Sequence, residues 1–370
     1  DQGHAAALQA YVISNAEGAY TYRDKATYPY KDANGQPFDD AAYAEKANFP
    51  AMKADGSSFP YTPVVGAAEK TVKVPAWLND VTNYHNRGDS TYAGESATYG
   101  DFSGLDDLFT EKLSVEQGME DIYKKWIEFG VDGFRIDTVK HVNMEFWQKF
   151  SPAMQAEAAK VGNKNFFMFG EVYDARPSLM SEYTTTGKLP ATLDFGFQSA
   201  ATNWVQGKSG TDLRNLFTDD DYYTDTDSNA YELPTFLGNH DMGRAAMMLK
   251  GTSSSTADLA KKVGLADDLM YLTRGNPITY YGDEQGFIGS GGDKDARQDM
   301  FATTTAQYAS EDNLTGPSGA KDRYDTSAPL YQRIASLSKL RQDHPALADG
   351  AQVHRYAGNG AGIFAFSRID

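Results

Sequence analysis

The chain contains no cysteine among its 370 residues. This absence excludes disulfide bonds and zinc sites built on thiolates, and it leaves the redox compartment undetermined. No run of apolar residues reaches the roughly 18 that a membrane-spanning helix needs, so a membrane is not an expected partner. The 34 basic residues are outnumbered by 51 acidic ones, which gives a formal net charge of −17. A field of that sign repels phosphate groups, so nucleic acid is not an expected partner either.

The hydrophobic and aromatic content of the chain is typical of a globular protein with a large core. Hydrophobic residues make up 41% of the chain, and the aromatic residues comprise 23 Tyr, 20 Phe and 4 Trp. Aromatic side chains offer flat apolar faces with polar tips, which suit sugar rings but equally serve any large core. A neutral substrate fits the net charge better than an anionic one.

The pattern along the chain changes near residue 110. Residues 1–110 predict a loop-rich, insertion-like segment, because prolines and turn signals interrupt every apolar run. The best strand candidate in this segment is residues 10–13.

Helical patterns and short apolar runs alternate after residue 114. A helix is expected from a capping box at Ser114 and Gln117 to a stop at Gly130, and Trp126 lies on its apolar face. Further helices are expected at residues 143–160, 257–272 and 329–341. Strands are expected at residues 131–136, 165–170, 192–195, 233–238 and 277–281, followed by two more at 353–356 and 362–366. This alternation predicts an α/β fold with a parallel sheet, in which about five strand-plus-helix units are recognisable where eight close a barrel.

Three carboxylates follow the predicted strands. Asp137, Glu171 and Asp241 each come just after a strand candidate, where (β/α)8 barrels place their active sites. Two facing carboxylates are the equipment of glycoside hydrolysis, although any one alone could cap a helix or pair with a lysine. Arg135 precedes Asp137 by two residues, so both point to one face of a strand and the guanidinium would keep Asp137 ionised.

Three segments resemble the motifs of the α-amylase family of glycoside hydrolases. Residues 133–141 read GFRIDTVKH, residues 169–172 read FGEV and residues 236–241 read FLGNHD. They stand in the family's order and spacing, and the resemblance runs from about Tyr11 to the C-terminus. It implies a (β/α)8 (TIM) barrel of which about strands 4–8 lie in this chain. Residues 111–345 would form the catalytic barrel portion, and residues 346–370 would start the family's C-terminal β-domain.

The resemblance also implies a role for each matching residue. Asp137 would be the nucleophile, Glu171 the general acid and base, and Asp241 the stabiliser of the transition state. Side chains expected to bind the substrate are Arg135, Lys140, His141, His240, Asp293 and Arg297. The pair at residues 140 and 141 favours α-1,4 over α-1,6 bonds.

A calcium ion is a further expectation from the resemblance. Residues 105–108 (LDDL) resemble the segment that supplies one ligand, and Asp107 stands at the matching place. The backbone carbonyl of His141 would be the second ligand, and oxygen ligands suit calcium.

The family's first motif and first barrel strands have no evident counterpart in the chain. We therefore expect a piece of a longer enzyme, with further barrel strands supplied by a longer parent chain or by another chain. The leading hypothesis is a retaining, endo-acting hydrolase of α-1,4-glucosidic bonds in starch-like glucans. The alternatives are a transglycosylase or α-glucosidase of the same family, or a non-catalytic glucan-binding fragment. The resemblance implies a secreted or extracellular protein, although no signal peptide is visible in this chain.

Overall fold

The computed structural model describes residues 20–102 and 105–370. The chain divides into two compact units. The first unit contains the residues up to Glu171 together with Thr186–Leu189, and the second contains Val172–Thr185 and Pro190–Asp370. None of the described helices is both long enough and apolar enough to cross a membrane.

The first unit begins with irregular chain held by a small aromatic core. Two short strands, β1 (Tyr30–Lys31) and β2 (Pro37–Phe38), pair antiparallel, and a one-turn helix, α1 (Ser96–Tyr99), follows. The rings of Tyr30 and Phe109 lie 4.8 Å apart at the centre of a buried cluster that also contains Phe59. Within the described residues, this segment contains only short strands, 3-10 turns and one-turn helices between irregular stretches. The strand candidate at residues 10–13 lies outside the described residues.

Two strand-and-helix units complete this part of the chain. Their elements are α2 (Leu113–Phe129), β3 (Gly133–Ile136), α3 (Met144–Lys160) and β4 (Phe167–Gly170). Strands β3 and β4 pair in parallel, as predicted. A Cβ atom on Gly133 would lie only 1.9 Å from the carbonyl oxygen of Phe167, so glycine lets the two strands approach.

Helix α2 differs from the prediction at its start and on one face. It begins at Leu113, and no side chain caps it, so the predicted capping box at Ser114 and Gln117 is wrong. Gly130 ends the helix with φ of 105°, as expected of a left-handed cap. Tyr123 packs its ring against that of Phe150 at 5.2 Å, but Trp126 is 52% exposed although the pattern placed it on the buried face.

The second unit continues the alternation and ends in a hairpin. Its helices are α4 (Pro177–Thr185), α5 (Phe195–Val205), α6 (Thr211–Thr218), α7 (Ala245–Lys250), α8 (Thr256–Leu272), α9 (Ala306–Ser310), α10 (Pro329–Asp343) and α11 (Pro345–Ala348). Its strands are β5 (Ala191–Thr192), β6 (Pro234–Phe236), β7 (Asn276–Ile278), β8 (Ala351–Ala357) and β9 (Phe364–Ile369). Strands β6 and β7 pair in parallel, whereas β8 and β9 form an antiparallel hairpin. The parallel pairs and the interleaved helices are those of the expected TIM-barrel type.

The strand predicted at residues 192–195 is wrong in extent. Strand β5 ends at Thr192, and Phe195 already begins α5. The side chain of Asp194 accepts a hydrogen bond from the backbone N–H of Phe197 at 2.8 Å and caps this helix. Asp194 also forms a buried ion pair with Arg274 at 2.5 Å, so a distant residue fixes the helix start.

Helices α5, α7, α8 and α10 bury the main apolar core of the second unit. Phe197, Leu249, Val263, Leu269 and Leu337 belong to one cluster of buried side chains. This core supports strand β6 and the loop that follows it, which carries Asp241.

Candidate active site

The end of strand β3 places a cation between two carboxylates. Arg135 and Asp137 lie two residues apart, and Nη1 of Arg135 donates to Oδ1 of Asp137 at 2.7 Å. Nη2 of the same guanidinium donates to Oε2 of Glu171 at 3.0 Å. The strand geometry expected from the sequence thus brings these three residues together.

The parallel register of β3 and β4 places Asp137 and Glu171 at the same level along the strand direction. Ile136 on β3 lies opposite Gly170 on β4, so Asp137 and Glu171 each follow the strand end at the same level. The backbone N–H of Glu171 donates to the carbonyl of Ile136 at 2.7 Å, and the N–H of Val139 donates back to the carbonyl of Glu171 at 3.0 Å. These bonds hold both carboxyl groups on the same edge of the sheet.

The pKa values of the two carboxyl groups are shifted in opposite directions. Burial raises the pKa of Glu171 to about 7, and its hydrogen bond with Asp137 adds to the rise while Arg135 opposes it. Burial also acts to raise the pKa of Asp137, but the hydrogen bond with Glu171 and the charge of Arg135 outweigh it and hold that pKa below its ordinary value. Near neutral pH the site therefore contains an ionised Asp137 beside a Glu171 that is partly protonated.

Lys140 and His141 follow on a short 3-10 turn, Val139–His141. Nδ1 of His141 lies 2.7 Å from the carbonyl oxygen of Ala97, to which it can only donate. Burial lowers the pKa of His141, so the neutral ring presents Nε2 as an acceptor. The imidazole is thus fixed in tautomer and orientation.

The third predicted carboxylate lies in the second unit, on the loop after β6. Oδ1 of Asn239 accepts from the backbone N–H groups of Asp241 and Met242 at 2.9 and 2.8 Å, which forms a tight turn. Nε2 of His240 lies 3.1 Å from Oδ2 of Asp241. One local turn therefore positions the side chains of Asp241 and His240 next to each other.

Arg297 joins Asp241 to Asp293. Its Nη2 atom lies 3.3 Å from Oδ1 of Asp241 and 2.9 Å from Oδ1 of Asp293. The backbone N–H of Asp293 also donates to the carbonyl of Asp241 at 3.2 Å. A Cβ atom on Gly292 would lie 2.1 Å from that carbonyl, so glycine permits the close approach of the two loops.

Arg244 is a buried residue of this site that sequence reasoning missed. Its guanidinium donates to Oε1 of Gln298 at 2.9 Å, to the carbonyl of Ala296 at 3.1 Å and to Oδ1 of Asp283 at 2.8 Å. It ties the loop of Asp241 to the segment of Arg297. The only sequence signal was a lone arginine three residues after Asp241.

The side chain of Asp107, the predicted calcium ligand, forms a hydrogen bond with a histidine. Oδ2 of Asp107 lies 2.8 Å from Nδ1 of His85, and Nε2 of His85 lies 2.8 Å from Oε2 of Glu111. Burial acts to lower the pKa of His85, but Glu111 and Asp107 outweigh it and raise that pKa to about 9. The described part of the chain contains no group of three or more His, Asp or Glu side chains arranged to hold a metal ion. The hydrogen bond to His85 uses Oδ2 of Asp107, so Oδ1 is the oxygen that would bind a cation together with oxygens of other kinds, such as the backbone carbonyl of His141.

Comparison with known proteins shows which family the sequence resembles. The family described as alpha amylase, catalytic domain, matches residues 61–350. An alpha-amylase of Streptomyces lividans is 57% identical over 97% of this chain, and a cyclomaltodextrin glucanotransferase of Klebsiella oxytoca is 26% identical over 70% of it. The chain spans 40% and 41% of the lengths of these two relatives.

A solved structure shows the same fold. The crystal structure of an Anoxybacillus alpha-amylase superposes with a TM-score of 0.63 at 26% identity, and the match covers 80% of this chain and 59% of that one. The family match covers residues 61–350, and the Streptomyces relative matches over most of the chain. The chain belongs to the alpha-amylase family of glycoside hydrolases.

Proposed function

We propose that this chain hydrolyses α-1,4-glucosidic bonds within starch-like glucans with retention of anomeric configuration. The observation that carries the proposal is the Arg135 guanidinium, which lies 2.7 Å from Asp137 and 3.0 Å from Glu171. It lowers the pKa of one carboxyl group while burial raises that of the other. An ionised nucleophile beside a protonated acid is the pair that a retaining mechanism needs.

In the first half of the reaction, an oxygen of Asp137 attacks the anomeric carbon. The glycosidic C–O bond breaks, and Glu171 gives its proton to the leaving oxygen. In the second half, Glu171 takes a proton from water, and that water displaces Asp137 from the anomeric carbon. The first half leaves Asp137 esterified and Glu171 ionised, and the second half frees the Asp137 carboxylate and reprotonates Glu171, so the enzyme returns to its starting state.

The remaining predicted residues bind the sugar chain. Asp241 and His240 contact hydroxyl groups of the sugar at the cleavage point, and Asp241 stabilises its developing positive charge. Asp293 and Arg297 hold a sugar on the non-reducing side, and Lys140 and His141 contact the leaving-group side. These assignments come from the motifs.

Calcium and an extracellular location are part of the same proposal. Calcium would bind Asp107 and the backbone carbonyl of His141, where it would tie two loops and leave the chemistry to the carboxylates. The extracellular location rests on the family alone.

Incubation of the chain with starch tests the proposal. Release of maltooligosaccharides, with the α-anomer as the first product in proton NMR, is expected. Longer or cyclic glucans would favour a transglycosylase, such as the cyclomaltodextrin glucanotransferase of Klebsiella oxytoca. Glucose as the first product would favour an α-glucosidase. Tight starch binding without any release of sugar would favour a glucan-binding fragment.

A further inference from the structure

The loop that carries Asp241 is closed at its base by two backbone hydrogen bonds. The N–H of Asn239 donates to the carbonyl of Gly243 at 3.1 Å, and the N–H of Gly243 donates to the carbonyl of Asn239 at 3.1 Å. Arg244 is the next residue and directly precedes α7. Because the loop is short and closed, the position of the Arg244 backbone also sets the position of Asp241.

The guanidinium of Arg244 is anchored to a second loop, the one after β7. The side chain is fully buried, and Nη1 donates to the carbonyl of Tyr281 at 2.7 Å and to Oδ1 of Asp283 at 2.8 Å. Asp283 offsets the buried positive charge, and the rings of Tyr280 and Phe287 lie 4.6 and 4.8 Å from the guanidinium carbon. A planar cation held by a carboxylate and by aromatic rings has one fixed orientation.

The two other nitrogen atoms of this guanidinium bind the residues on either side of Arg297. Nη2 of Arg244 donates to the carbonyl of Ala296 at 3.1 Å, and Nε donates to Oε1 of Gln298 at 2.9 Å. The hydroxyl group of Tyr280 donates to the same carbonyl of Ala296 at 3.0 Å. Arg244 therefore fixes the backbone from which the side chain of Arg297 extends.

The side chain of Arg297 is itself held only by exposed groups. It is 35% exposed, and Nη2 makes both of its ion pairs, with Asp241 at 3.3 Å and with Asp293 at 2.9 Å. These two carboxylates are 41% and 76% exposed, and exposed ion pairs stabilise a conformation only weakly. The direction in which Arg297 points is therefore decided mainly by its backbone.

Gln298 connects Arg244 to a third segment of the chain. Its side chain is buried, Oε1 accepts from Arg244, and Nε2 donates to Oε2 of Glu311 at 2.7 Å. With a donor at one end and an acceptor at the other, the amide has a single orientation. A substitution of Gln298 weakens the hold of Arg244 on the segment of Arg297 but leaves the buried charge pair with Asp283 in place.

We propose that Arg244 is a positioning residue for the hydrolysis, which fixes Asp241 and Arg297 relative to each other and so orients both for the sugar at the cleavage point. The inference rests on the proposed function, because that function assigns the sugar contacts of Asp241 and Arg297. Arg244 is closed to solvent and does not touch the sugar. A misplacement of about 1 Å can lower a rate about a hundredfold, so a residue of this kind influences catalysis without contacting the substrate.

Steady-state kinetics on maltoheptaose, combined with inhibition by the charged amino-sugar inhibitor acarbose, test the proposal. Arg244→Lys keeps a charge near Asp283 but cannot bind Ala296 and Gln298 with separate, fixed hydrogen bonds. We expect kcat/KM to fall at least about tenfold and the Ki of acarbose to rise by a similar factor, since a transition-state analogue uses the same contacts. Gln298→Met should move both constants in the same direction by a smaller factor.

The inhibition constant separates positioning from folding. A loss of folded protein lowers the apparent kcat but leaves KM and Ki unchanged, because both are properties of the molecules that remain folded. Unchanged KM and Ki in the two variants would overturn the proposal, whatever the apparent kcat. If Arg244→Lys does not fold, Gln298→Met decides by the same criterion, and thermal melts show which variants are folded.

Arg274→Lys is the matched control. Arg274 is as fully buried as Arg244, and it pairs with Asp194 and Asp220 at 2.5 and 2.6 Å, neither of which is a predicted site residue. Its replacement should lower the melting temperature and leave KM and Ki unchanged. A rise of Ki in this control equal to that in Arg244→Lys would also overturn the proposal, because the loss of any buried arginine would then have the same effect.

The role of Arg244 and the proposed function fail separately. If the parent cleaves starch and both variants keep its KM and Ki, only the role of Arg244 is wrong. If the parent releases no sugar, calorimetric titration with acarbose takes the place of the kinetics. Binding that is weakened in both variants but not in the control then supports the positioning role although the hydrolysis is wrong. Equal binding in parent and variants, or no binding by the parent, overturns it.

Discussion

The guanidinium of Arg135 lies 3.0 Å from Oε2 of Glu171, although 36 residues separate them in the chain. The contact depends on the parallel pairing of β3 with β4, which brings two strand ends to one edge. Arg135 thereby acts on both acids at once, and this double contact leads to the first prediction.

Replacing Arg135 with lysine should lower kcat/KM at least a hundredfold. A lysine offers a point charge and cannot donate two fixed hydrogen bonds to separate carboxylates. A hundredfold loss corresponds to about 2.7 kcal/mol of transition-state stabilisation. Arg135→Gln should in addition move the acid limb of the pH profile upward, because Asp137 loses the charge that keeps it ionised. Arg214→Lys on α6 is the control, since that side chain donates hydrogen bonds to the neighbouring Asn215, and it should leave kcat/KM unchanged.

Asp137→Asn and Glu171→Gln should each nearly abolish starch hydrolysis. The two groups act in one reaction, so the double variant should lose little more than either single variant. Initial rates of reducing-sugar release measure this, with the exposed Asp121→Asn on α2 as the control. Near-normal turnover by either single variant would contradict the roles assigned.

A complex with a substrate analogue would test the geometry of the same pair. The carboxyl groups of Asp137 and Glu171 should lie roughly 5–5.5 Å apart, the separation of retaining enzymes. A separation of ~6.5–9.5 Å would instead require an inverting mechanism.

Activity should fall as pH rises through about 7. The acid must be protonated to donate to the leaving oxygen, and burial raises the pKa of Glu171 to about 7. The acid limb should lie well below this, because the pKa of Asp137 is held below its ordinary value. The pH dependence of kcat/KM on a soluble maltooligosaccharide gives both limbs. A basic limb near pH 4–5, the ordinary range of a glutamate, would contradict the effect of burial.

His85 should make stability depend on pH in the neutral-to-basic range. Its pKa is raised to about 9 in the folded protein against about 6.5 when unfolded, so the folded state binds more protons between these values. The stabilisation is therefore fully present below pH 6.5 and is lost as pH rises through 9. The shift corresponds to as much as about 3 kcal/mol, at about 1.4 kcal/mol per pKa unit.

Urea titrations at pH 6.5 and 9 measure this effect. The parent should lose stability between the two pH values, and His85→Gln should remove most of that loss. His344→Gln, at an exposed position, is the control and should behave like the parent. An unchanged pH dependence in His85→Gln would show that the contacts with Asp107 and Glu111 do not hold the proton.

Removal of calcium should lower the melting temperature. A ligand that binds only the folded state stabilises by RT ln(1 + [L]/Kd), which is about 2.7 kcal/mol at a concentration of 100 Kd. Thermal melts with calcium and with excess chelator measure the effect, and Asp107→Asn should abolish it. If the chelator has no effect on the parent, the calcium part of the proposal is wrong.

Several features followed from the sequence alone. The alternation of apolar runs and helical patterns predicted the parallel strands and most of the helices. This was possible because strands that are buried on both faces of a sheet are continuous apolar runs in the sequence. The period of two along a strand predicted that Arg135 and Asp137 share a face, and the structure has them 2.7 Å apart. The order and spacing of three motifs predicted the family.

Other features depended on residues far apart in the chain. Asp194 begins a helix instead of ending a strand because it pairs with Arg274, 80 residues further on. His85 lies between Asp107 and Glu111, and Arg244 binds the segment before Arg297, yet none of these side chains carried a periodic signal. A cavity beside β1 and β2 is lined by side chains of the segment 25–40 together with Arg87 and Glu95. A local sequence pattern indicates which face of a helix or strand is buried. The partner of a polar side chain is decided only when the helices and strands pack against one another. Only the tertiary structure therefore determined these contacts.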